Sequence, residues 1–449
     1  MVEPMTTRGY SPTSADAAER PAGRYDAPTA SAPLEASVEV PGSKSLTNRE
    51  LILSALADTP SRVQSPLHSA DSQRMEEALR ALGVSIERVP DTGSFGDDLK
   101  VTPPHTLAGG CTIDSGQAGT VMRFIAPLLG LASGDVHLTA ADNALHRPMG
   151  TMIKALRDLG VDIDDGGSWS LPFTVHGRGH IRGGELEIDA SESSQFVSGL
   201  LLAAPRFDVG LHLIHRGDRL PSVPHIEMTI ETLAHRGVHV ERVAPGEWIV
   251  PAGAPRGKTI DIEPDLSNAA PFLAAAMVAG GSVTIPAWPA HSTQPGHQLT
   301  EILSLLGGRV TRRAGAVTVS GGPVIHGVDL DLSAVSELTP TLVGLAAFAD
   351  GPSSFTGIGH IRGHETDRIA ALVQNLRAVG CGAEELPDGI RVVPQPMHAG
   401  EWGAFHDHRL ATTGALVGLR VPGVVVDDIG TTAKTMPQFA ALWQGMLGA

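Results

Sequence analysis

IKALRDLGVDI (residues 153–163) combines three signals in one short stretch. Ile153, Leu156 and Leu159 share one face at helical spacing. Gly160 stops the helix in the left-handed conformation that glycine tolerates, and Val161-Asp162-Ile163 alternates as a strand does. The arrangement recurs in ALRALGVSI at Gly83, ETLAHRGVHV at Gly237, ILSLLGGRV at Gly307 and LRAVGCGAE at Gly380, roughly 70 to 77 residues apart. A sixth helix, Phe439 to Leu447, reaches Gly448 with no strand after it. The strand-like Ser37-Val38-Glu39-Val40 near the other end is expected to supply one, bringing the N-terminal strand into the C-terminal half.

A second helical series runs out of phase with the first. It starts near Ser45, Gly119, Ser194, Ser267, Glu337 and Arg409, and its members, such as FVSGLLLAAP and NAAPFLAAAMVAG, are apolar almost all round. Those helices should be buried and the amphipathic ones half-exposed. The chain therefore reads as α/β (α+β), with six β-α-β-α-β-β-like units that split into three and three. At 449 residues it exceeds what one core normally serves, and two domains are expected. The boundaries fall at 43–262 for the first, and at 37–42 plus 263–449 for the second. Residues 1–36 have no periodicity and read as a disordered tail.

Lys+Arg 33 against Asp+Glu 49 leaves a formal charge of −16, which argues against nucleic acid or an anionic membrane as partner. No apolar run is long enough for a signal peptide or a bilayer span, and the chain is expected to be cytoplasmic. Cys111 and Cys381 have no CxxC companions, so neither a disulfide nor a thiolate metal site is expected. An anionic ligand would need its cations gathered locally, and the repeat does that at its helix starts. PGSKSLTNR (41–49) puts Lys44, Ser45 and Arg49 beside unpaired backbone N–H groups, and Gln117 to Thr120, Arg147, Ser193-Ser194-Gln195, Ser222, Arg368, His408-Arg409 and Lys434 fall at equivalent places. Any one hydroxyl here is ordinarily a helix cap, and any one arginine an even choice between ion pair and anion clamp. The collective placement favours a cleft for a polyanion. Glu337 and Glu365 stand among these cations, where carboxylates serve either as ion-pair partners or as proton carriers.

Seven motifs in order, PGSKSLTNR (41–49), QAGTVMRF (117–124), HRPM (146–149), SSQF (193–196), HETDRI (364–369), DHRLA (407–411) and TAKTMP (432–437), resemble those of the 3-phosphoshikimate 1-carboxyvinyltransferase family, also called 5-enolpyruvylshikimate-3-phosphate synthases. The resemblance covers about Ser37 to the end. It implies the enolpyruvyl transferase fold, a two-domain inside-out α/β barrel of six βαβαββ repeats, three per domain. It also implies transfer of the enolpyruvyl group of phosphoenolpyruvate to the 5-hydroxyl of shikimate 3-phosphate, without metal or cofactor, by a monomer. By matched position, Lys44, Ser45, Arg49, Ser193, Ser194, Gln195, Ser222, Glu337 and His364 would hold shikimate 3-phosphate. Lys44, Gly119, Arg147, Gln195, Arg368, His408, Arg409 and Lys434 would hold phosphoenolpyruvate. Lys44 would bridge both ligands, Glu337 would take the 5-hydroxyl proton and Glu365 would protonate the methylene.

The chain departs from the family pattern at Glu337 for Asp, His364 for Lys, His225 for Tyr, Gln117 for Asn and Phe124 for Pro. His364 is expected to titrate near neutrality, weakening substrate binding above it. Gly119, where Ala marks glyphosate-tolerant relatives, implies glyphosate sensitivity. The alternatives are the related enzyme acting on UDP-N-acetylglucosamine, which has Lys-Asn in place of Lys44-Ser45 and a catalytic loop cysteine, and a non-catalytic anion-binding paralogue, which would be expected to have lost the two acids.

Overall fold

The computed structural model describes residues 23–90 and 93–448. Twelve α-helices alternate along these residues. The odd-numbered ones are α1 (Lys44–Ala55), α3 (Gly119–Gly130), α5 (Ser194–Ala203), α7 (Ala270–Ala279), α9 (Thr339–Ala346) and α11 (His408–Gly418). The even-numbered ones are α2 (Ala70–Ala81), α4 (Gly150–Asp158), α6 (Val223–His235), α8 (Leu299–Leu305), α10 (Arg368–Ala378) and α12 (Phe439–Met446). The odd series is buried almost throughout, as the apolar surface of α3 and α7 requires, although α1 buries polar residues as well, and the even series keeps one exposed face. Gly83, Gly160, Gly237, Gly307, Gly380 and Gly448, which follow the even helices, all have positive φ between 73° and 95°. A left-handed residue there lets the chain reverse into the next segment.

Six sheets accompany the helices among the described residues, and buried apolar side chains form two separate cores. One core runs from Leu51 to Ile262. The other joins Ala27 to Val40 with Leu266 to Met446. The strands that precede α1 and α7 are exchanged between these cores. Leu34–Ser37 leads into α1 but pairs in parallel with Gly281–Ile285 of the second core. Thr259–Asp261 leads towards α7 but pairs in parallel with Ser61–Gln64 of the first. The chain therefore crosses twice, and the crossings run side by side: Ser43 N donates to Glu263 O at 2.8 Å and Asp265 N to Pro41 O at 2.9 Å. Gly42 is needed at this ribbon because a Cβ there would collide with the Ser65 carbonyl.

The N-terminal segment differs from expectation. Residues 1–22 lie outside the described residues, but 23–36, read as disordered tail, carry two strands. Tyr25–Asp26 pairs antiparallel with Val424–Val426 and so enters the sheet of the last repeat, the place expected for residues 37–40. Ala27 then packs against Gly418, and Leu34–Ser37 lies in the separate sheet that contains Gly281–Ile285. Composition misled here because Ala27 and Leu34 are the few apolar residues that the segment needs to bury. No helix among the described residues is long and apolar enough to cross a membrane.

Buried polar pairs fix the first core. Arg236, at the end of α6, is buried and donates to the buried Glu50 of α1 at 2.7 Å, to the buried Ser54 and Ser61, and to the Arg256 carbonyl. Removing one partner of such a pair leaves an uncompensated buried charge. Arg236→Met is therefore expected to destabilise the protein by about 3–5 kcal/mol. The check is a lowered thermal unfolding midpoint; a midpoint equal to the parent's would show that Glu50 finds another partner or a proton.

Candidate active site

Capping hydroxyls and carboxylates set the helix starts that face the junction of the two cores. Ser43 caps α1 by accepting from Leu46 N, Ser193 accepts from Gln195 N, and Asp407 caps α11 by accepting from Arg409 N at 2.8 Å. Ser222, before α6, is left-handed (φ 51°) and makes no side-chain cap, which leaves its hydroxyl 3.4 Å from Ser336 Oγ of the other core. Ser222 N also donates to Ser333 O at 3.1 Å, so the halves touch on this side.

One group of cations surrounds Gly119. A Cβ added to this glycine would lie 3.2 Å from Arg123 Nη1, 3.4 Å from Gln195 Oε1 and 3.7 Å from Arg147 Nη1. Arg147 Nη1 and Lys434 Nζ, from different cores, both donate to the Gln117 carbonyl, at 2.7 and 3.2 Å. Lys434 also donates to Glu365 Oε1 at 2.7 Å, and Arg368 donates to Glu365 Oε2 at 2.7 Å. Arg368 is held in turn by Asp407 at 2.6 Å, and these carboxylates raise its pKa against the effect of burial. Burial works to raise the Glu365 pKa, but Lys434, Arg368, Arg147 and His408 outweigh it and hold the group well below the usual carboxylate range. The Nε atoms of Arg123 and Arg147 are buried without a partner. Burial, with Arg147 nearby, lowers the Arg123 pKa to about 10.

A second group lines a cavity shared by the two cores, with walls that include Lys44, Ser45, His225, Ser267, Glu337 and Arg409. Lys44 Nζ is 3.1 Å from Asp71 Oδ2, and its backbone N donates to Asp265 Oδ2 at 3.1 Å. Glu337 accepts from Ser267 Oγ at 3.0 Å, and its other oxygen lies 3.2 Å from His225 Nε2. Burial would raise its pKa, yet His225, Arg409 and the Ser267 hydroxyl hold it well below the usual range. Arg49 is buried on neutral acceptors only, the carbonyls of Ser45 and His225 and the hydroxyls of Thr229 and Ser198, and burial lowers its pKa to about 9.

His408 is buried between these groups with neither ring nitrogen hydrogen-bonded; burial and Arg409 keep its pKa well below 6.5. His364 overturns the expectation of titration near neutrality. Arg368 Nη1 lies 3.1 Å from its Nδ1, and burial plus that guanidinium hold its pKa well below 6.5, so the ring is a neutral acceptor.

Of the candidates, Lys44, Ser45, Gly119, Arg147, Gln195, Glu337, His364, Glu365, Arg368, His408, Arg409 and Lys434 fall in these two adjoining groups. Ser193 and Ser194 open the helix that carries Gln195, but among the described residues neither hydroxyl bonds another candidate's side chain. Arg49 backs the cavity through Ser45 and His225. Sequence reasoning did not assign Asp71, Ser267, Ser336, His360 or Asp407. His360 Nε2 lies 2.9 Å from Ser336 Oγ, and burial lowers its pKa to about 4. Asp71 and Asp407 carried a signal, as acidic residues at helix starts otherwise rich in cations. Cys111 lies on the strand Cys111–Asp114, outside both groups, and burial raises its thiol pKa, the opposite of what a nucleophile needs. Among the described residues no three His, Cys, Asp or Glu side chains are arranged to hold a metal.

Residues 28–443 match the family model for EPSP synthase (3-phosphoshikimate 1-carboxyvinyltransferase). The chain is 50% identical over 421 residues to a 3-phosphoshikimate 1-carboxyvinyltransferase of Kocuria rhizophila, covering 93% of this chain and 95% of that one. Among solved structures it resembles the EPSP synthase of Acinetobacter baumannii, with a TM-score of 0.78 at 25% identity, covering 94% of this chain and 98% of that one. The enolpyruvyl transferase NikO of Streptomyces tendae shares the fold, with a TM-score of 0.74 at 18% identity and coverage of 95% and 98%. With two cores of helices and sheets in this arrangement, and a family match over nearly all of its length, the chain belongs to the EPSP synthase family and has the enolpyruvyl transferase fold.

Proposed function

We propose that this protein transfers the enolpyruvyl group of phosphoenolpyruvate to the 5-hydroxyl of shikimate 3-phosphate, releasing phosphate, as a cytoplasmic monomer supplying aromatic amino acid synthesis. The observation that carries the site assignment is the convergence of Arg147 and Lys434, from the two cores, on the single Gln117 carbonyl beside Glu365. A ligand bearing both phosphate and carboxylate would satisfy Arg147, Arg123, Arg368, Arg409 and Lys434 at once. His408 would line that place as a neutral group. Lys44 stands between this pocket and the cavity of Glu337, where Ser45, Arg49, Ser193, Ser194, Gln195, Ser222 and His364 would receive the second substrate. The two cores act as domains, 43–262 and 37–42 with 263–449, the second joined by residues 23–36, and they close on the substrates about the ribbon at 41–43 and 263–265.

In the reaction, Glu365 gives a proton to the methylene carbon, and the cationic carbon so formed takes the 5-oxygen while Glu337 accepts the hydroxyl proton. Phosphate then leaves from the tetrahedral centre as a methyl proton returns to Glu365. Glu365 is ionised in the free protein because Lys434 and Arg368 grip it. An incoming dianion draws those cations to itself and adds negative charge alongside, and both effects raise the Glu365 pKa towards that of a proton donor.

Glu365→Gln is expected to slow phosphate release from phosphoenolpyruvate and shikimate 3-phosphate by about 100-fold or more. Release at the parental rate would remove Glu365 from the chemistry. Gly119→Ala places a methyl 3.2 Å from Arg123 Nη1. It should raise KM for phosphoenolpyruvate and weaken glyphosate inhibition, each by roughly tenfold; unchanged inhibition would move the inhibitor elsewhere. Because His364 is held neutral, His364→Gln is expected to leave the pH profile of shikimate 3-phosphate binding unchanged between about pH 6 and 8. Calorimetric titration checks this, and a profile flattened by the substitution would return the titration to His364.

A further inference from the structure

Glu337 has three rotatable side-chain bonds and sits in the middle of a short turn, Ser336–Leu338, yet its carboxylate is fixed at both oxygens from different parts of the molecule. Ser267, in its own core, donates to Oε1 at 3.0 Å. The opposing core supplies His225, whose Nε2 lies 3.2 Å from Oε2. The backbone that carries the ring is anchored, since the His225 carbonyl accepts from Arg49 Nη2 at 2.9 Å, from Thr229 Oγ1 at 3.0 Å and from Ser198 Oγ at 3.4 Å. His225 also stands in the first turn of α6, a 13-residue helix whose positive end favours a carboxylate placed against it. Arg409, Lys44 and Asp265 line the same cavity and complete the charged surroundings of this contact.

We infer that His225 is a positioning residue for Glu337: by donating Nε2–H across the junction of the two cores, it aims the carboxylate that receives the substrate's proton, and does so only while the cores are closed. This rests on the reading of Glu337 as the base. The consequence is a division of labour. Ser267 holds one oxygen whether the cleft is open or shut, whereas His225 adds the second restraint on closure, when the substrate hydroxyl must meet a fixed acceptor. A carboxylate free to swing about one bond would spend most of its time out of line, and a misplacement of about 1 Å can cost on the order of a hundredfold in rate.

The test is the rate of phosphate release at saturating substrates, with shikimate 3-phosphate affinity measured separately by calorimetry, for the parent, His225→Phe, His225→Gln, Glu337→Gln and the double variant His225→Phe with Glu337→Gln. The expected result is about a tenfold or larger fall in kcat for His225→Phe, with affinity within about threefold of the parent. His225→Gln, which keeps an N–H at similar reach, should recover most of the rate, and the double variant should be no slower than Glu337→Gln alone. Should the Phe variant fail to fold, His225→Asn, too short to reach, is expected to show the same loss. Parental kcat in the Phe or Asn variant, a loss confined to affinity, or a further fall in the double variant would each overturn the positioning role while leaving Glu337 as the base. Parental kcat in Glu337→Gln would overturn both assignments.

Discussion

Arg147 and Arg123 each bury a guanidinium Nε with no partner beside Gly119, and Arg49 is buried on neutral acceptors alone. Taking such groups out of water is costly, and the carboxylates of the site are paired with other cations, Glu365 with Arg368 and Lys434, Asp407 with Arg368 and Asp71 with Lys44. The cations come from both cores, so their repulsion is relieved most fully by anions lying between them. On the proposed function, substrate capture and approach of the cores would then be one event, driven by the same unsatisfied charge. On the proposed mechanism the carboxylates used for chemistry are drawn from the groups that hold the cations in place beforehand, so that Glu365 starts as an ion-pair partner and would have to be released to become an acid.

Much of the fold was legible because it repeats. A glycine stop after each amphipathic helix recurred along the chain, and the backbone at those glycines is left-handed as such stops require. Burial of the interleaved series followed from helices such as α7, which has no polar face to show. The N-terminal segment was illegible for the opposite reason. Tyr25–Asp26 is a two-residue strand, too short for periodicity, and its pairing with Val424–Val426 depends on an open sheet edge almost four hundred residues away.

The candidate site divides along the same line. Residues at helix starts, such as Lys44, Gly119, Arg368 and Arg409, carry their positions in the period. Ser336 and His360 do not, since a serine or histidine in a turn is ordinary until the fold sets Ser222 against it, and although Ser267 marks a helix start in the period, its bond to Glu337 shows only in the fold. His364 shows the limit most clearly. Residue type suggested a group poised at neutral pH, but its neighbours decide otherwise, because Arg368 beside a buried ring makes the charged form costly. Charge state belongs to the packed environment, and no single stretch of sequence contains it.

The two chain crossings are hydrogen-bonded to each other through Ser43, Glu263, Pro41 and Asp265, so they do not move as independent linkers. Two separate tethers would permit sliding, shear and rotation; a two-stranded ribbon resists stretching and in-plane bending and yields mainly by flexing across its face and by twist. Asp265 stiffens it further, with one oxygen on the Lys44 backbone at the start of α1 and the other on the backbones of Ser267 and Asn268 ahead of α7. Rotation at the ribbon, on the proposed closure, would thereby be geared directly to the helix starts that carry Lys44 and Ser267. If the cores close as proposed, the ribbon leaves in effect a single mechanical coordinate, and each pair of groups across the junction, Lys434 with Gln117 or His225 with Glu337, would read the same displacement at a different radius from the axis.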